Sequence, residues 1–125
     1  MSMKSALVPQ WLAQPEEHDY PAAASYLELF WPHPQVLSLV DALKAAPMSS
    51  FKAKDIFRAS GLSLLGVSNS HVVKNREKVA SGKALSPLLL VRDGANARVI
   101  VADGYHRLCA IYGIDEDALI PCKIA

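Results

Sequence analysis

The chain has 125 residues, of which 51% are hydrophobic and 20% are charged. This length and composition suit one folded domain with its own core, and they argue against intrinsic disorder. No apolar run approaches the roughly 20 residues that a membrane-spanning helix needs, and the N-terminus is a poor secretion signal. We therefore expect a cytoplasmic protein that does not enter a membrane.

The net charge of +1 hides a segregation of charge along the chain. Residues 44–92 carry a net charge of +7, whereas residues 1–43 carry −4 and residues 93–125 carry −2. A basic middle segment between acidic ends suits a polyanionic ligand. It equally suits electrostatic closure of one domain on itself, and the sequence leaves both interpretations open.

The first part of the chain predicts an arm followed by helices. Residues 1–21 contain three prolines and are expected to form the arm. Helix formers at 22–30 predict a first helix, with Pro21 in its first turn. Apolar residues at helical spacing predict a second helix over about 34–43.

The next part is basic and less regular. Residues 51–60 hold a shorter helical pattern that ends at a glycine. Residues 62–67 predict an extended segment or a loop. A further helix is predicted over about 71–80, with Ser68 or Ser70 as its N-terminal cap.

The last third has the clearest pattern. Residues 88–91 predict a buried strand, 93–96 a turn and 98–102 a second strand, and the short connection indicates an antiparallel hairpin. A helix is predicted over 104–112, stopped by the following glycine, and 119–124 predict a closing strand. These elements indicate a small α+β domain with a mixed sheet, helices and an N-terminal helical extension.

The segment Asp103-Gly104-Tyr105-His106-Arg107 lies where the second strand becomes the helix. At such a junction, exposed backbone N–H groups and the positive end of a helix dipole can hold an anion. Asp103 stands where an N-terminal cap belongs, and Gly104 lets a ligand or a neighbouring backbone approach closely. Arg107 can offer a planar fork to two phosphate oxygens.

The imidazole of His106 has several chemical options at this junction. It can donate to a phosphate, act as an acid or a base near neutral pH, or help to hold a metal with Asp103. His106 is therefore the candidate catalytic residue, and Asp103 is the candidate metal ligand. The structural alternative is a capped helix in which Arg107 pairs with a carboxylate and His106 is hydrogen-bonded within the fold.

Motifs around this segment follow a characteristic order. A Gly-Lys pair at 82–83 precedes a proline-led strand in the segment 86–91, and the segment 99–107 is a strand that leads into Asp-Gly-x-His-Arg. The closing strand contains Pro121. In this order, residues 82–124 resemble the ParB/sulfiredoxin superfamily, which includes the ParB-like nuclease domains.

The resemblance implies a single domain of ParB/sulfiredoxin type over residues 1–125. Within it we expect an arm at 1–21, a mostly helical part at 22–60 and an α+β core that carries the site at 61–125. The resemblance covers about a third of the chain, and the N-terminal half has no counterpart in it.

The resemblance also implies a nucleotide or phosphate ligand, with ATP, ADP or CTP and magnesium as its expected form. The Gly-x-His-Arg turn is the implied phosphate-binding element. Two residues that precede the first strand are placed to reach the same ligand. The expected phosphate-binding residues are Gly104, His106, Arg107, Lys83 and Ser86.

Departures from the superfamily pattern leave the reaction open. Sulfiredoxins carry their catalytic cysteine where this chain has Tyr105, so we do not expect sulfinic acid repair. Partition proteins have a separate helix-turn-helix domain that reads DNA, and we expect none here. Serine kinases of the superfamily need an upstream glutamate, for which the nearby candidate is Glu77, a residue that also suits an ion pair on a helix surface.

Two functions therefore stay open. The first is a nucleotide- or phosphate-binding domain of unassigned activity. The second is a non-enzymatic module with a vestigial site, which binds nucleic acid or a partner protein through the basic middle segment. The aromatic residues Trp11, Phe30 and Trp31 suit a core or a self-association patch of a homodimer better than a base-stacking platform. Cys109 and Cys122 suit small buried apolar positions, and a redox role for Cys109 is a further hypothesis.

Overall fold

Five helices surround a mixed β-sheet in the part of the chain that the structure describes. The structure is a computed structural model and describes residues 8–66 and 69–125. It confirms the predicted α+β class. In chain order the elements are β1 (Gln10–Trp11), α1 (Asp19–Leu27), α2 (His33–Ala45), β2 (Ser49–Lys52), α3 (Ala53–Ser60), α4 (Ser70–Ala80), β3 (Ala84–Leu85), β4 (Leu88–Asp93), β5 (Arg98–Asp103), α5 (Tyr105–Ile114) and β6 (Leu119–Ile124).

The main sheet has four strands in the order β2-β6-β4-β5. Strand β4 is antiparallel to β5 and parallel to β6, and β2 is antiparallel to β6. The predicted β4–β5 hairpin is confirmed, with a short 3-10 helix at its turn. Strands β1 and β3 form a separate parallel pair, in which Gln10 lies beside Ala84. The first described residues are therefore joined to the segment that leads into β4.

Helices cover both faces of the sheet, and β4 is the strand buried between them. Leu89 and Val91 face α1 and α2, whereas Leu88 and Leu90 face α3, α4 and α5. A strand buried on both faces carries apolar residues at successive positions, since its side chains alternate between two cores. The uninterrupted apolar run of β4 follows from this position.

The boundaries of the first two helices differ slightly from those predicted. Helix α1 begins at Asp19, inside the predicted arm, and it ends at Leu27. Helix α2 begins at His33 and continues to Ala45. The side chain of Asp19 is buried against Ser86, so the start of α1 is fixed by a contact that is distant in sequence.

The predicted helix over 51–60 is wrong at its beginning. Phe51 and Lys52 belong to β2, where Phe51 pairs with Ile120, and α3 begins only at Ala53. Pairing with β6 outweighs the local helical pattern at these two positions, as tertiary context often does. Gly61 ends the helix as predicted, with a left-handed φ of 66°.

The predictions for the start of α4 and the end of α5 are also wrong. The cap of α4 is Asn69, whose Oδ1 accepts from the N–H groups of His71 and Val72. Ser70 is the first residue of that helix instead of its cap, and Ser68 lies outside the described residues. Helix α5 does not stop at the glycine that follows residue 112, because Ile114, its last residue, packs against the core.

The segment between α3 and α4 forms neither helix nor strand over the described residues 62–66, as expected, and Val67 lies outside the description. Cys109 and Cys122 are buried free thiols, which confirms that they occupy apolar positions. None of the helices in the described ranges has the length and apolar character needed to cross a membrane.

Candidate functional site

A groove of about 530 Å³ opens where β5 becomes α5. Its floor is the chain from Val101 to His106, and its walls are Tyr26 from α1 and Leu62 and Ser63 from the segment after α3. Cavities of roughly 300 to 1,000 Å³ are typical of small-molecule sites. Three of the residues predicted for the site, at positions 103, 104 and 106, therefore line one cavity.

The turn into α5 depends on Gly104. Its φ of 105° is rare for residues with a side chain, and it stands at the N-cap of the helix. A Cβ at this position would lie 2.8 Å from Cγ of Leu88 and 2.9 Å from Nη2 of Arg107. The close approach predicted for Gly104 is thus made by side chains of the chain itself. The prediction that Asp103 caps the helix is wrong, since no side chain caps α5.

The carboxylate of Asp103 is turned toward Arg107 instead of the helix N-terminus. Nη2 of Arg107 donates to Oδ2 of Asp103 at 2.9 Å and to the carbonyl oxygen of Pro87 at 3.4 Å. Each of the two charged side chains is only 17% exposed. Nε of Arg107 is buried and has no hydrogen-bond partner within the described ranges. Arg107 thus pairs with a carboxylate, as the structural alternative proposed.

Two opposing effects act on the charge of Asp103. Burial raises the pKa of its carboxyl, and the nearby carboxylate of Asp19 acts in the same direction. The guanidinium of Arg107 opposes this rise. Within residues 8–66 and 69–125, no three or more His, Cys, Asp or Glu residues lie close enough together to hold a metal ion. Asp103, the predicted metal ligand, is the one carboxylate among the described residues that line the groove, and it is paired with Arg107.

His106 lies against a second histidine. Its ring centroid is 4.8 Å from that of His71, and each residue is the second of its helix, His106 in α5 and His71 in α4. The N-termini of these two packed helices therefore adjoin. Burial lowers the pKa of His106, and the charges of His71 and Arg107 lower it further.

The two helix N-termini differ in whether a side chain accepts hydrogen bonds from their first N–H groups. The first N–H groups of any α-helix have no partner inside the helix. In α4, Asn69 accepts from two of them, whereas Gly104 offers α5 no side chain. The first turn of α5 thus presents N–H groups beside an imidazole, and the dipoles of both helices place positive potential there.

Ser86 and Lys83, predicted to reach the ligand, are not among the residues that line the groove. Ser86 is buried, its hydroxyl donates to Oδ2 of Asp19, and it accepts from the N–H of Glu16 at 3.2 Å. Lys83 is exposed between α4 and β3, and its main-chain N–H donates to the carbonyl oxygen of Lys78. Ser86 therefore joins the N-terminal segment to the start of β4.

The groove walls were not found by sequence reasoning. Tyr26 and Leu62 are ordinary apolar residues in the sequence, and nothing near them suggests a site. His71 carried no predicted role beyond its place at a helix start. The hydroxyl of Tyr105 donates to the carbonyl oxygen of Ser63, which holds the segment after α3 against α5. Contacts between residues 42 positions apart leave no signal in a local pattern.

Part of the basic middle segment is neutralised within the fold. Nζ of Lys54 lies 2.7 Å from Oδ1 of Asp117, in the acidic loop before β6, and Arg58 lies 3.6 Å from Asp55. The Lys54–Asp117 pair joins the basic segment to the acidic C-terminal part, as electrostatic closure of the domain predicts, whereas the Arg58–Asp55 pair lies within α3. Binding of nucleic acid through the whole segment stays a prediction.

Comparison of the chain with protein-family models, with curated proteins and with solved structures finds no match.

Proposed function

We propose that this protein binds a phosphate-bearing ligand, in the first instance a nucleotide, in the groove at the start of α5. The observation that carries the proposal is the first turn of α5, which has no side-chain cap and begins on the floor of the 530 Å³ groove. The order of motifs that resembles the ParB/sulfiredoxin superfamily points to the same turn.

The phosphate would accept hydrogen bonds from main-chain N–H groups of Tyr105, His106 and Arg107. His106 would donate through its imidazole, and the adjoining start of α4 with His71 would add to the positive potential. Arg107 supplies positive charge behind the turn while its Nη2 donates to Asp103. In this arrangement Arg107 acts mainly as a positioning residue, and any magnesium ion would be bound largely through the phosphates of the ligand.

The rest of a nucleotide would lie between the groove walls. Tyr26 offers a partly exposed ring on one side, and Leu62 offers an apolar surface on the other. Aromatic and apolar side chains of this kind suit the faces of a base and a sugar. Asp103 is the one carboxylate among the described residues that line the groove. We therefore propose binding and assign no reaction to the site.

The experiment is a titration followed by thermal unfolding and calorimetry. ATP, ADP, CTP and inorganic phosphate, each with and without magnesium, are added to the wild-type protein. A ligand that binds only the folded state raises the melting temperature in proportion to the logarithm of its concentration. We expect at least one nucleotide to do so, with inorganic phosphate acting more weakly at the same site.

Matched histidine variants test the location. His106→Gln removes the imidazole from the groove and is expected to weaken binding by about tenfold, the effect of losing one charge-assisted hydrogen bond. His33→Gln changes an exposed histidine at the start of α2 and should leave binding unchanged. No thermal shift with any of these ligands at millimolar concentration, or equal affinities for the two variants, would overturn the proposal.

A further inference from the structure

An apolar cleft of about 270 Å³ lies between α3 and the main sheet. Its floor contains Ile56 and Leu90, which are 3% and 1% exposed. Helix α3 has only eight residues and lines the cleft with the small side chain of Ala59, so part of the sheet stays uncovered. Among the described residues, none that lines this cleft also lines the groove at the start of α5, so the two cavities are separate.

The walls of the cleft come from three different strands. Val99 of β5 and Ile124 of β6 pack against the core cluster on the α3 side of the sheet. Phe51 of β2 pairs with Ile120 of that same cluster, and its side chain is 38% exposed. A preformed concave surface of apolar side chains is typical of small-molecule sites, and a volume just below the usual range of roughly 300 to 1,000 Å³ suits a small ligand.

Arg92 adds a positive charge to this apolar surface. It follows Leu90 by two positions and pairs with Val99, so it lies on the α3 side of the sheet. Its main-chain N–H donates to the carbonyl oxygen of Ala125 at 2.8 Å, which fixes its backbone beside the end of β6. The charge of Arg92 also acts on the buried thiol of Cys122, where it opposes the rise in pKa that burial causes. The guanidinium therefore places positive potential on the face that carries the cleft.

The nearby carboxylates do not pair with Arg92. Asp55, the other charged residue that lines the cleft, lies 3.6 Å from Arg58 of the same helix. Asp93 accepts from Arg98 instead of from its neighbour in sequence. In the part of the chain that the structure describes, the guanidinium of Arg92 has no hydrogen bond and no ion pair. A cation without a partner beside an apolar cleft is complementary to a ligand with an apolar body and an anionic group.

We propose that this cleft binds a small carboxylic acid with an apolar tail, of the medium-chain fatty acid class. The planar fork of Arg92 would donate to both carboxylate oxygens. The tail would lie over Leu90 and Ile56 and against the ring of Phe51, where it removes apolar surface from water. Charge selects an acid over an amine, because Asp55 already has a basic partner and Arg92 has no acidic one.

A series of alkyl probes on the wild-type protein tests the chemistry of the ligand. Octanoate, hexanoate and butanoate share one head group and differ in tail length. We expect each methylene that is removed from the tail to weaken binding about fourfold, as burial of that group in the cleft requires. Octylammonium has the tail of octanoate and the opposite charge, and it should bind at least about tenfold more weakly. Equal affinities for octanoate and octylammonium, or for octanoate and butanoate, contradict the proposal.

Methyl signals in NMR spectra report where the acid binds. Octanoate should shift the methyl signals of Leu90, Val99 and Ile124 and leave those of Val101, which lines the groove at α5, unchanged. Shifts confined to Val101 and the first turn of α5 would mean that the carboxylate binds in that groove, and they refute the cleft as its site. Absence of any shift with octanoate at millimolar concentration does the same. If the cleft signals move on dilution of the protein without a ligand, a second copy of the chain covers the cleft and the proposal is wrong.

Two charge variants test the head group. Arg92→Gln removes the cation and should weaken octanoate binding by about tenfold or more, with little effect on octylammonium. Lys74→Gln removes one positive charge from an exposed position of α4, outside the cleft, and should leave both affinities unchanged. Equal octanoate affinities for the two variants contradict the role of Arg92.

Two alanine variants test the cavity itself. Ala59→Phe fills the cleft from α3 and should abolish octanoate binding, whereas Ala42→Phe makes the same change at an exposed position of α2 and should not affect it. Octanoate binding that survives Ala59→Phe refutes the proposal, and if that variant does not fold, the tail-length series on the wild type decides. The probes carry no phosphate and the cleft shares no lining residue with the groove, so the two proposed sites succeed or fail separately.

Discussion

Asp103 is the last residue of β5, Arg107 is the third residue of α5, and their side chains form an ion pair of 2.9 Å across Gly104. The pair joins the end of the strand to the first turn of the helix. It also accounts for the spacing of acid, glycine and arginine in the sequence without a ligand. Any anion that binds here therefore binds to a turn that is already fixed.

Removing the arginine should destabilise the fold. Arg107→Met leaves the mostly buried carboxyl of Asp103 without its ionic partner, and we expect a loss of about 1 to 3 kcal/mol in the free energy of unfolding. Arg58→Met is the control, because Arg58 forms an exposed pair with Asp55 three residues earlier in α3. Such pairs contribute about 0.5 kcal/mol or less. Urea unfolding measures both, and equal losses would show that the 103–107 pair does not hold the turn.

Three glycine-to-alanine substitutions separate backbone strain from steric overlap. Gly94 has neither a positive φ nor a neighbour near a new Cβ, so alanine there should be almost neutral. Gly82 has a φ of 77° in open space, and alanine should cost about 1 kcal/mol. Gly104 combines a φ of 105° with overlap against Leu88, and we expect about 2 to 4 kcal/mol. Urea unfolding should give this order, and a Gly104→Ala loss no larger than that of Gly82→Ala would contradict the close contact.

Ser86→Ala should affect stability and leave ligand binding unchanged. The hydroxyl of Ser86 donates to the buried carboxylate of Asp19, so its loss leaves Asp19 with one hydrogen-bond donor fewer. A loss of about 1 to 3 kcal/mol is typical of such a change. Ser38→Ala removes an exposed serine of α2 and serves as the control. If Ser86→Ala instead weakens phosphate affinity in a protein of unchanged stability, Ser86 is a ligand, as the sequence first suggested.

Elements that are determined by neighbouring residues were predicted from the sequence, whereas features that depend on residues distant in sequence were missed. The β4–β5 hairpin and the start of α5 were predictable, because apolar runs and a turn lie next to one another in the chain. Strand β2 was missed because Phe51 pairs with Ile120, far along the chain. Asp103 was assigned to the helix cap because that acceptor role is local, while its actual partner depends on the left-handed turn at Gly104.

The groove illustrates the same limit. Its floor is one continuous segment, and the sequence located it. Its walls come from α1 and from the segment after α3, and their position depends on how the helices pack against the sheet. No pattern in the sequence specifies that packing, so Tyr26 and Leu62 could only be found in the folded chain.

Both cysteines should be unreactive in the native protein. Burial raises the pKa of Cys122 to about 11, and Cys109 is also buried. Since the thiolate is the reactive form, alkylation at about pH 8 should proceed only as the chain unfolds and should become fast in denaturant. Leu62→Cys supplies an exposed thiol as the positive control. Rapid labelling of native Cys109 would support a redox role for that residue.

Protonation of His106 at low pH should lower the free energy of unfolding and should strengthen anion binding. Burial, His71 and Arg107 lower the pKa of His106 in the folded protein, so the unfolded chain takes up this proton at a higher pH. The contribution of neutral His106 to stability is therefore fully present above its pKa in the unfolded chain, which is about 6.5. It is lost as the pH falls through the lower pKa of the folded protein. A bound phosphate has the opposite effect through this group, because it favours the imidazolium. Protonation of His106 should therefore strengthen phosphate binding relative to a variant that lacks the imidazole.

The difference between wild type and His106→Gln isolates this group from other titrations. Between about pH 7 and pH 5, the wild type should lose more stability than the variant and gain more phosphate affinity. Urea unfolding and calorimetry measure the two slopes, with His33→Gln as the control at an exposed site. Tyr105 and His71 remain in both proteins, so they do not contribute to the difference directly. Identical slopes in wild type and His106→Gln would mean that His106 neither titrates in this range nor contacts the anion.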